Sequence, residues 1–198
     1  MTDNSSLELA TDMIQLRAGV AADAAAIHGL ITANLSVGHL LPRTFDDVES
    51  HAERFIVAER DGAVIGCAEL APLSSDVGEV RSLVVDEGSR GHRVGLTIVT
   101  ALADRARDLG YNTLCAFTHE PAHFIRLGFS IVPHQWVPEK IAHDCVSCSL
   151  FRHCGQYAVT LLLRAGSGLR LDNTAPPARA VAAPRSSVER LRLTTIPA

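Results

Sequence analysis

The chain has 198 residues, of which 47% are hydrophobic and 20% charged, a composition typical of one globular domain with a hydrophobic core. Its formal net charge of -4 lends no support to a nucleic-acid partner, and no apolar run approaches the ~20 residues of a membrane span. The N-terminus lacks the basic and apolar regions of a signal peptide, so we expect a cytoplasmic protein without a membrane partner.

The first predicted elements follow a short polar segment. Residues 1–12 are polar and aperiodic, which predicts a flexible N-terminal tail. Residues 14–17 alternate between apolar and polar side chains and predict a first strand. An amphipathic helix is predicted from Asp23, because apolar residues then recur on one helical face, at Ala26, Ile27, Leu30 and Ile31.

A second group of elements begins near Thr44. This residue is the predicted N-cap of a short helix, with Asp47 three residues on. Residues 55–58 and 63–70 are rich in apolar and β-branched side chains and predict two strands. Asp61-Gly62 lies between them and is a favoured hairpin turn.

The second half of the chain alternates between strands and helices. A strand over residues 79–85 leads through a loop into a helix that runs from Val94 to about Leu109 and ends at Gly110. The remaining predicted elements are a strand at 113–118, a brief helix at 123–127 and strands at 128–132 and 157–163.

The order of these elements predicts the fold class and the extent of the domain. It suits an α/β fold on a mixed, mostly antiparallel sheet of six or seven strands, flanked by helices, whose early strands form a meander. One domain would span residues 13–165. Residues 166–198 are rich in proline and lack aromatic side chains, which predicts a disordered C-terminal tail.

Residues 79–95 combine a strand, a basic loop with glycines and a helix N-terminus. Such a succession predicts an anion site, because the loop amides and the first helical turn direct N–H groups at one point. The segment lacks the Gly-Lys-Ser/Thr ending of a Walker loop and the three glycines of a dinucleotide fingerprint. From the residues alone, a strand-to-helix turn with surface arginines explains the loop equally well.

The five cysteines are an odd number in a chain without a secretory signal, which argues against a disulfide framework. Cys67 and Cys115 lie in apolar strand patterns and are predicted to be core thiols. The other three fall in an insert at about 135–156. Because the insert also holds histidines, these thiols need a separate explanation.

Cys145 and Cys148 have the Cys-x-x-Cys spacing that lets two thiolates reach one ion, and Cys154 together with His143 or His153 would complete a tetrahedral zinc site. Such a site would stabilise the insert over the substrate without taking part in the chemistry. The alternatives are a redox pair, although no thioredoxin-like strand precedes it, and three reduced thiols in a loop. Lys140 lies in the same insert and could meet an acidic substrate, although a solvated lysine is the simpler expectation.

Two motifs resemble the GNAT acetyltransferases. Residues 90–95 are similar to the family's acyl-CoA loop, Arg/Gln-x-x-Gly-x-Gly/Ala, and match it at Arg90 and Gly95, with Arg93 where a glycine is usual. Residues 123–129, His-Phe-Ile-Arg-Leu-Gly-Phe, resemble the late signature in which an aromatic residue precedes Gly-Phe by four positions.

A third motif resembles one branch of that family. Leu-Leu-Pro-Arg-Thr at 40–44, together with the segment 55–80, is similar to the acetyltransferase domain of N-acetylglutamate synthases. The resemblance as a whole covers residues 14–163 and implies the GNAT fold.

The resemblance implies an enzyme that moves the acetyl group of acetyl-CoA to an amine by direct attack on the thioester. The synthase motif implies L-glutamate as the small-molecule acceptor, and therefore the first step of arginine biosynthesis. GNAT domains often pair, which leaves a homodimer open. Acetyl-CoA would be held by the strand backbone and the loop after it, at Leu83, Val84, Val85, Arg90, Gly91, His92, Arg93, Val94 and Gly95.

The resemblance also implies roles for individual side chains. Glu79 matches the family's glutamate that serves as general base, and strand alternation would put Arg81, Leu83 and Val85 on the same side. Arg43 and Arg81 would hold a substrate carboxylate. Thr118 would offer its hydroxyl to the leaving thiolate.

The remaining motif position departs from the family pattern. Phe124 stands where many GNATs have a tyrosine as general acid, so Thr118, water or no acid at all would serve instead. Simpler explanations stay open at each position: a strand-end ion pair for Glu79 and Arg81, a surface arginine for Arg43 and a structural threonine.

Two other functions also stay open. One is a GNAT enzyme for another amine or a protein N-terminus, since a substrate without a carboxylate would not use Arg43 or Arg81. The other is a non-catalytic acetyl-CoA-binding or zinc-stabilised interaction module.

Overall fold

The structure, a computed structural model, describes residues 14–38 and 40–164 and is built on a seven-stranded sheet. The strands are β1 Gln15–Ala18, β2 Phe55–Arg60, β3 Ala63–Pro72, β4 Val77–Val85, β5 Thr113–Thr118, β6 Ser130–Val132 and β7 Tyr157–Leu162. Their spatial order is β1-β2-β3-β4-β5-β7-β6, and only the β4–β5 pair is parallel. The predicted mixed, mostly antiparallel sheet is confirmed.

The early strands form the expected meander. Asp61 and Gly62 both have positive φ, 54° and 78°, which is the backbone that a two-residue hairpin requires. The turn therefore pairs β2 with β3 directly, and β3 then pairs with β4. This places β4 near the middle of the sheet.

Helices cover both faces of the sheet. They are α1 Ala24–Ala33, α2 Leu35–Gly38, α3 Phe45–Ser50, α4 Val94–Asp108, α5 Ala122–Ile125 and α6 Pro138–Lys140. The chain continues from α6 into one π-helical turn, Ile141–Cys145. As predicted, Thr44 caps α3 by accepting from the amide of Asp47 at 3.2 Å, and Gly110, with φ +87°, ends α4.

Two hydrophobic cores flank the sheet. Ile98 and Leu102 of α4 are fully buried against strand residues such as Leu114 on one face. On the other face, Ile27 of α1 packs with Phe55. Each fully buried side chain of this size contributes roughly 1.5–3 kcal/mol of transfer free energy. The two faces together fix the central strands.

Cys67 and Cys115 are both fully buried, which confirms that they are core thiols. The predicted tails at 1–12 and 166–198 lie outside the described residues. Within the described part of the chain, no helix combines the length and the apolar character that crossing a bilayer requires.

Candidate active site

A cavity of about 650 Å³ opens where β4 and β5 separate. The two strands pair only from Val77–Val80 to Thr113–Ala116, although β4 continues to Val85 and β5 to Thr118. The bend begins at Ser82, which has φ +50° and lies where β4 carries one extra residue opposite β3. A β-bulge of this kind turns the strand away from its neighbour.

The same bulge corrects one expectation about β4. Val80, Leu83 and Val85 pack with the α4 core, whereas Val84 packs with the α1 core. The extra residue therefore breaks the alternation of side chains. Leu83 and Val85 lie on the same side as Val80, so the prediction that they share a face with Glu79 was wrong.

The open edge of β4 presents backbone groups to the cavity. The Asp86 N–H donates to the Ile65 carbonyl of β3 at 2.8 Å, so the N–H and carbonyl groups of Val85, the residue before it, point away from β3. The Val85 carbonyl accepts from Arg90 Nε at 3.2 Å. Because alternate residues of a strand direct their N–H groups to opposite sides, Leu83 has the same orientation as Val85.

The loop after β4 is held at both ends. The Asp86 carboxylate accepts from the Gly88 amide at 3.1 Å, and the buried Ser89 hydroxyl accepts from Arg60 at 2.9 Å. Arg93 then adopts the left-handed region, with φ +63°, as the N-cap of α4. Arginine thus takes the conformation for which glycine is favoured.

The first turn of α4 lies close to the cavity. Gly95 is buried, and a Cβ added there would meet the His123 ring at 3.2 Å. Burial lowers the pKa of His123. Among the loop residues predicted to bind acetyl-CoA, Arg90 and Gly95 line the cavity together with Leu83, Val84 and Val85. Val94 is buried, whereas three others are exposed on the outside of the loop, namely Gly91, His92 and Arg93.

A cluster of four charges, two of them buried and two half-buried, forms the polar wall of the cavity. Glu79, only 2% exposed, contacts Arg81 through Oε2 and Lys140 Nζ through Oε1, the latter at 2.7 Å. Asp144 contacts the same two cations, with Lys140 at 2.7 Å and with Arg81 through its terminal nitrogen. Burial raises the pKa of Asp144, but the hydrogen bonds from Lys140 and His143 outweigh it and lower that pKa to about 2.

Lys140 is the side chain that sequence reasoning misjudged. It is 8% exposed and lies 5.4 Å from the centre of the Phe117 ring, so it is not solvated. It reaches Glu79 although the two are distant in sequence. Lys140 and Asp144 are four positions apart, and this spacing was the one local feature of the sequence that indicated an ion pair in the insert.

Arg43 also lines the cavity, and its guanidinium is anchored by acids. It contacts Asp47 through Nε and the buried Glu69 at 2.7 Å, and it donates to the Ser82 hydroxyl at 3.3 Å. Glu69 is 1% exposed. A single glutamate inside the apolar run of β3 was the sequence signal for this anchor.

Thr118 and Phe124 close the other side of the cavity. The Thr118 oxygen accepts from the Glu120 amide at 3.0 Å, which leaves the hydroxyl hydrogen free to donate. Phe124 is 4% exposed and packs edge-on against Phe129 at 5.2 Å between ring centres. It supplies apolar surface and no proton.

The predicted zinc ligands are not assembled. Among residues 14–38 and 40–164, no three His, Cys, Asp or Glu side chains are placed to hold a metal ion. His143 turns its ring to Asp144 at 2.8 Å, Cys154 is exposed, and Cys145 and Cys148 are half-buried. The expectation of a zinc site in the insert is therefore corrected: its thiols are reduced, and its Lys140 and Asp144 line the cavity.

Comparison with known proteins gives relatives of this chain. The profile of the acetyltransferase (GNAT) family matches residues 26–129. An uncharacterized N-acetyltransferase of Chlorobaculum tepidum is 30% identical over 142 residues, covering 72% of this chain and 92% of that protein. An amino-acid acetyltransferase of Shewanella oneidensis is 35% identical over 128 residues, which are 64% of this chain but 29% of the relative.

Solved structures share the fold. Rv2747 from Mycobacterium tuberculosis, in complex with CoA, has a TM-score of 0.65 at 27% identity and covers 76% of this chain and 99% of that one. The N-acetylglutamate synthase from Neisseria gonorrhoeae, complexed with coenzyme A and N-acetyl-glutamate, has a TM-score of 0.68 at 24% identity. That match covers 77% of this chain and 36% of the synthase chain.

Proposed function

Because the chain belongs to the acetyltransferase (GNAT) family, we propose that it transfers the acetyl group of acetyl-CoA to the α-amino group of L-glutamate. The observation that carries this proposal is a buried carboxylate, Glu79, between two cations beside an open backbone edge. The name of the Shewanella oneidensis relative supports an amino acid as acceptor. With glutamate as acceptor, the reaction is the first step of arginine biosynthesis.

The residues present fit acetyl-CoA. Leu83 and Val85 line the cavity, and strand alternation directs their N–H groups away from β3, as the pantetheine amides and the thioester oxygen require. The loop before α4 and the first turn of that helix offer amides to the pyrophosphate. Gly95 leaves room that a larger side chain would fill. The Mycobacterium tuberculosis structure with CoA supports the same assignment.

Glu79 is proposed to accept the proton that the acceptor ammonium must lose before it can attack. The amine nitrogen then forms a bond to the thioester carbon, the carbon–sulfur bond breaks, and the thiolate leaves. The N–H groups of β4 stabilise the negative charge that develops on the thioester oxygen. Thr118 donates a hydrogen bond to the leaving sulfur, a role for which its hydroxyl hydrogen is free.

Two arginines of the cavity are proposed to orient the acceptor. Arg81 and Arg43 both line it, and a guanidinium can hold a carboxylate through two parallel N–H groups. Both are positioned by acids of the protein, Arg43 by Glu69 and Arg81 by Asp144. This fixes their geometry before the substrate arrives.

The test is product formation from acetyl-CoA across a panel of free amino acids, with glutamate and glutamine side by side. Acetylated product is followed by mass, because the thiols of the protein would disturb an assay of released CoA. Acetylation of glutamate well above the rest is expected. Transfer to another amine, or to a peptide N-terminus, would refute glutamate as the acceptor but leave acetyl transfer as the reaction. Binding of acetyl-CoA without any transfer would refute acetyl transfer itself.

A further inference from the structure

Both oxygens of the proposed base are occupied by cations of the protein itself. Glu79 Oε2 accepts from Arg81, and Oε1 lies 2.7 Å from Lys140 Nζ. Each oxygen has a second lone pair, but with the side chain 3% exposed these remaining acceptor sites are buried from an incoming ammonium group. A base in this state is masked, so one cation must leave before a proton can be accepted.

The charges of the cluster indicate what would remove that cation. Glu79 and Asp144 carry two negative charges, and Arg81 and Lys140 carry two positive ones, so the cluster is neutral. An amine without an acid group would bring an unpaired positive charge to the buried Glu79, which is unfavourable. An amino acid brings a carboxylate with its ammonium group and can exchange partners while the cluster stays paired.

Lys140 is the cation suited to move. It is the only lysine of the sequence, whose other cationic side chains are arginines. Its ammonium is a point charge on a flexible four-carbon stem, whereas Arg81 lies on β4 and forms fixed contacts to Glu79 and Asp144. Asp144 at 2.7 Å and the Phe117 ring at 5.4 Å would keep Lys140 in place after it left Glu79.

We propose that Lys140 makes acetyl transfer conditional on a carboxylate in the acceptor. The carboxylate takes Lys140 from Glu79 Oε1, and the freed oxygen then receives the proton of the acceptor's ammonium group. Lys140 keeps its own protons throughout. This proposal rests on the proposed function and deepens it. The enzyme would reject amines without an acid group at the chemical step as well as in binding.

The kinetic test compares L-glutamate with its diamide, which has the ammonium group but no carboxylate, in the wild type and in Lys140→Met. The wild type should transfer poorly to the diamide. Lys140→Met keeps a side chain of similar length but removes the cation from Glu79 Oε1, so we expect it to narrow the ratio of kcat/KM between glutamate and the diamide by about tenfold or more. A ratio within about twofold of wild type would overturn the proposal.

Two control variants test whether the change in specificity depends on where the cation is removed and on the presence of Glu79. Arg107→Met removes an exposed cation far from the cavity and should leave the ratio unchanged. In a Glu79→Gln background, Lys140→Met should no longer change the ratio, because no base remains to be unmasked. Acetyl-CoA binding and the thermal melt of each variant confirm that it is folded.

A second measurement needs no turnover. Lysine labelled with ¹⁵N gives one side-chain signal, since the chain has a single lysine. With CoA bound, glutarate should shift this signal, and its neutral diamide should not. An unmoved signal would overturn the exchange even if glutamate is acetylated, whereas a shift without any acetylation would refute the proposed function and keep the exchange.

Discussion

Replacement of Glu79 by glutamine removes the proposed base while keeping the size of the side chain. Loss of a general base typically costs about 10²–10⁴ in rate, or about 2.7–5.4 kcal/mol in the activation free energy. We expect kcat to fall by that factor. The KM for acetyl-CoA should change little, because Glu79 contacts Arg81 and Lys140 and is not among the residues predicted to hold acetyl-CoA.

The same substitution also affects stability, and the structure bounds the effect. Removing one partner from a buried ion pair costs about 3–5 kcal/mol when the other charge is left alone. Here that range is an upper limit, because Arg81 and Lys140 retain Asp144. The variant should therefore fold with a lower melting temperature and still bind CoA.

The assay is initial-rate formation of acetylated glutamate by mass, with CoA affinity measured by calorimetry on the same protein. Glu53→Gln, a matched change at an exposed position, is the control and should behave as wild type. If Glu79→Gln binds CoA and keeps kcat within about threefold of wild type, Glu79 is not the base, and the amine loses its proton elsewhere.

Three further predictions concern the rest of the domain. Hydrogen bonds from Arg17 lower the pKa of the buried Asp23, so Asp23→Asn should cost about 1–3 kcal/mol of unfolding free energy in urea at pH 7. Because that carboxylate stabilises the fold above its unfolded pKa and loses the effect as pH falls through the folded one, the two proteins should converge in acid. Arg93→Gly should raise the unfolding free energy by about 1 kcal/mol by removing a left-handed non-glycine residue, whereas Arg93→Ala should not. Burial raises the pKa of Cys67 to about 12 and also that of Cys115, so a thiol reagent should reach these two only after unfolding, and fast reaction of all five cysteines would contradict the core packing.

Features of the fold that depend on interactions between residues close in sequence were predicted correctly. Hairpin residues such as Asp61-Gly62, the Thr44 cap and the glycine stop at Gly110 each depend on a few adjacent positions, and the structure has all three. The family motifs predicted the loop before α4 and the carboxylate of Glu79, whose catalytic role stays a prediction. Alternation failed at Ser82, because a bulge depends on the partner strand and not on the local pattern.

The sequence by itself determined the strands, four of the six helices and their order, because periodicity and turn residues are local to each segment, whereas the short helices α2 and α6 were not predicted. Only the tertiary structure decided which charges meet. Glu79 and Lys140 come from a central strand and a late insert, and Arg43 and Glu69 come from a loop and another strand. Such pairs form because the packed sheet brings distant segments together and buried charges must be neutralised. The same packing left His143 and the three thiols of the insert unassembled as a metal site within the described residues.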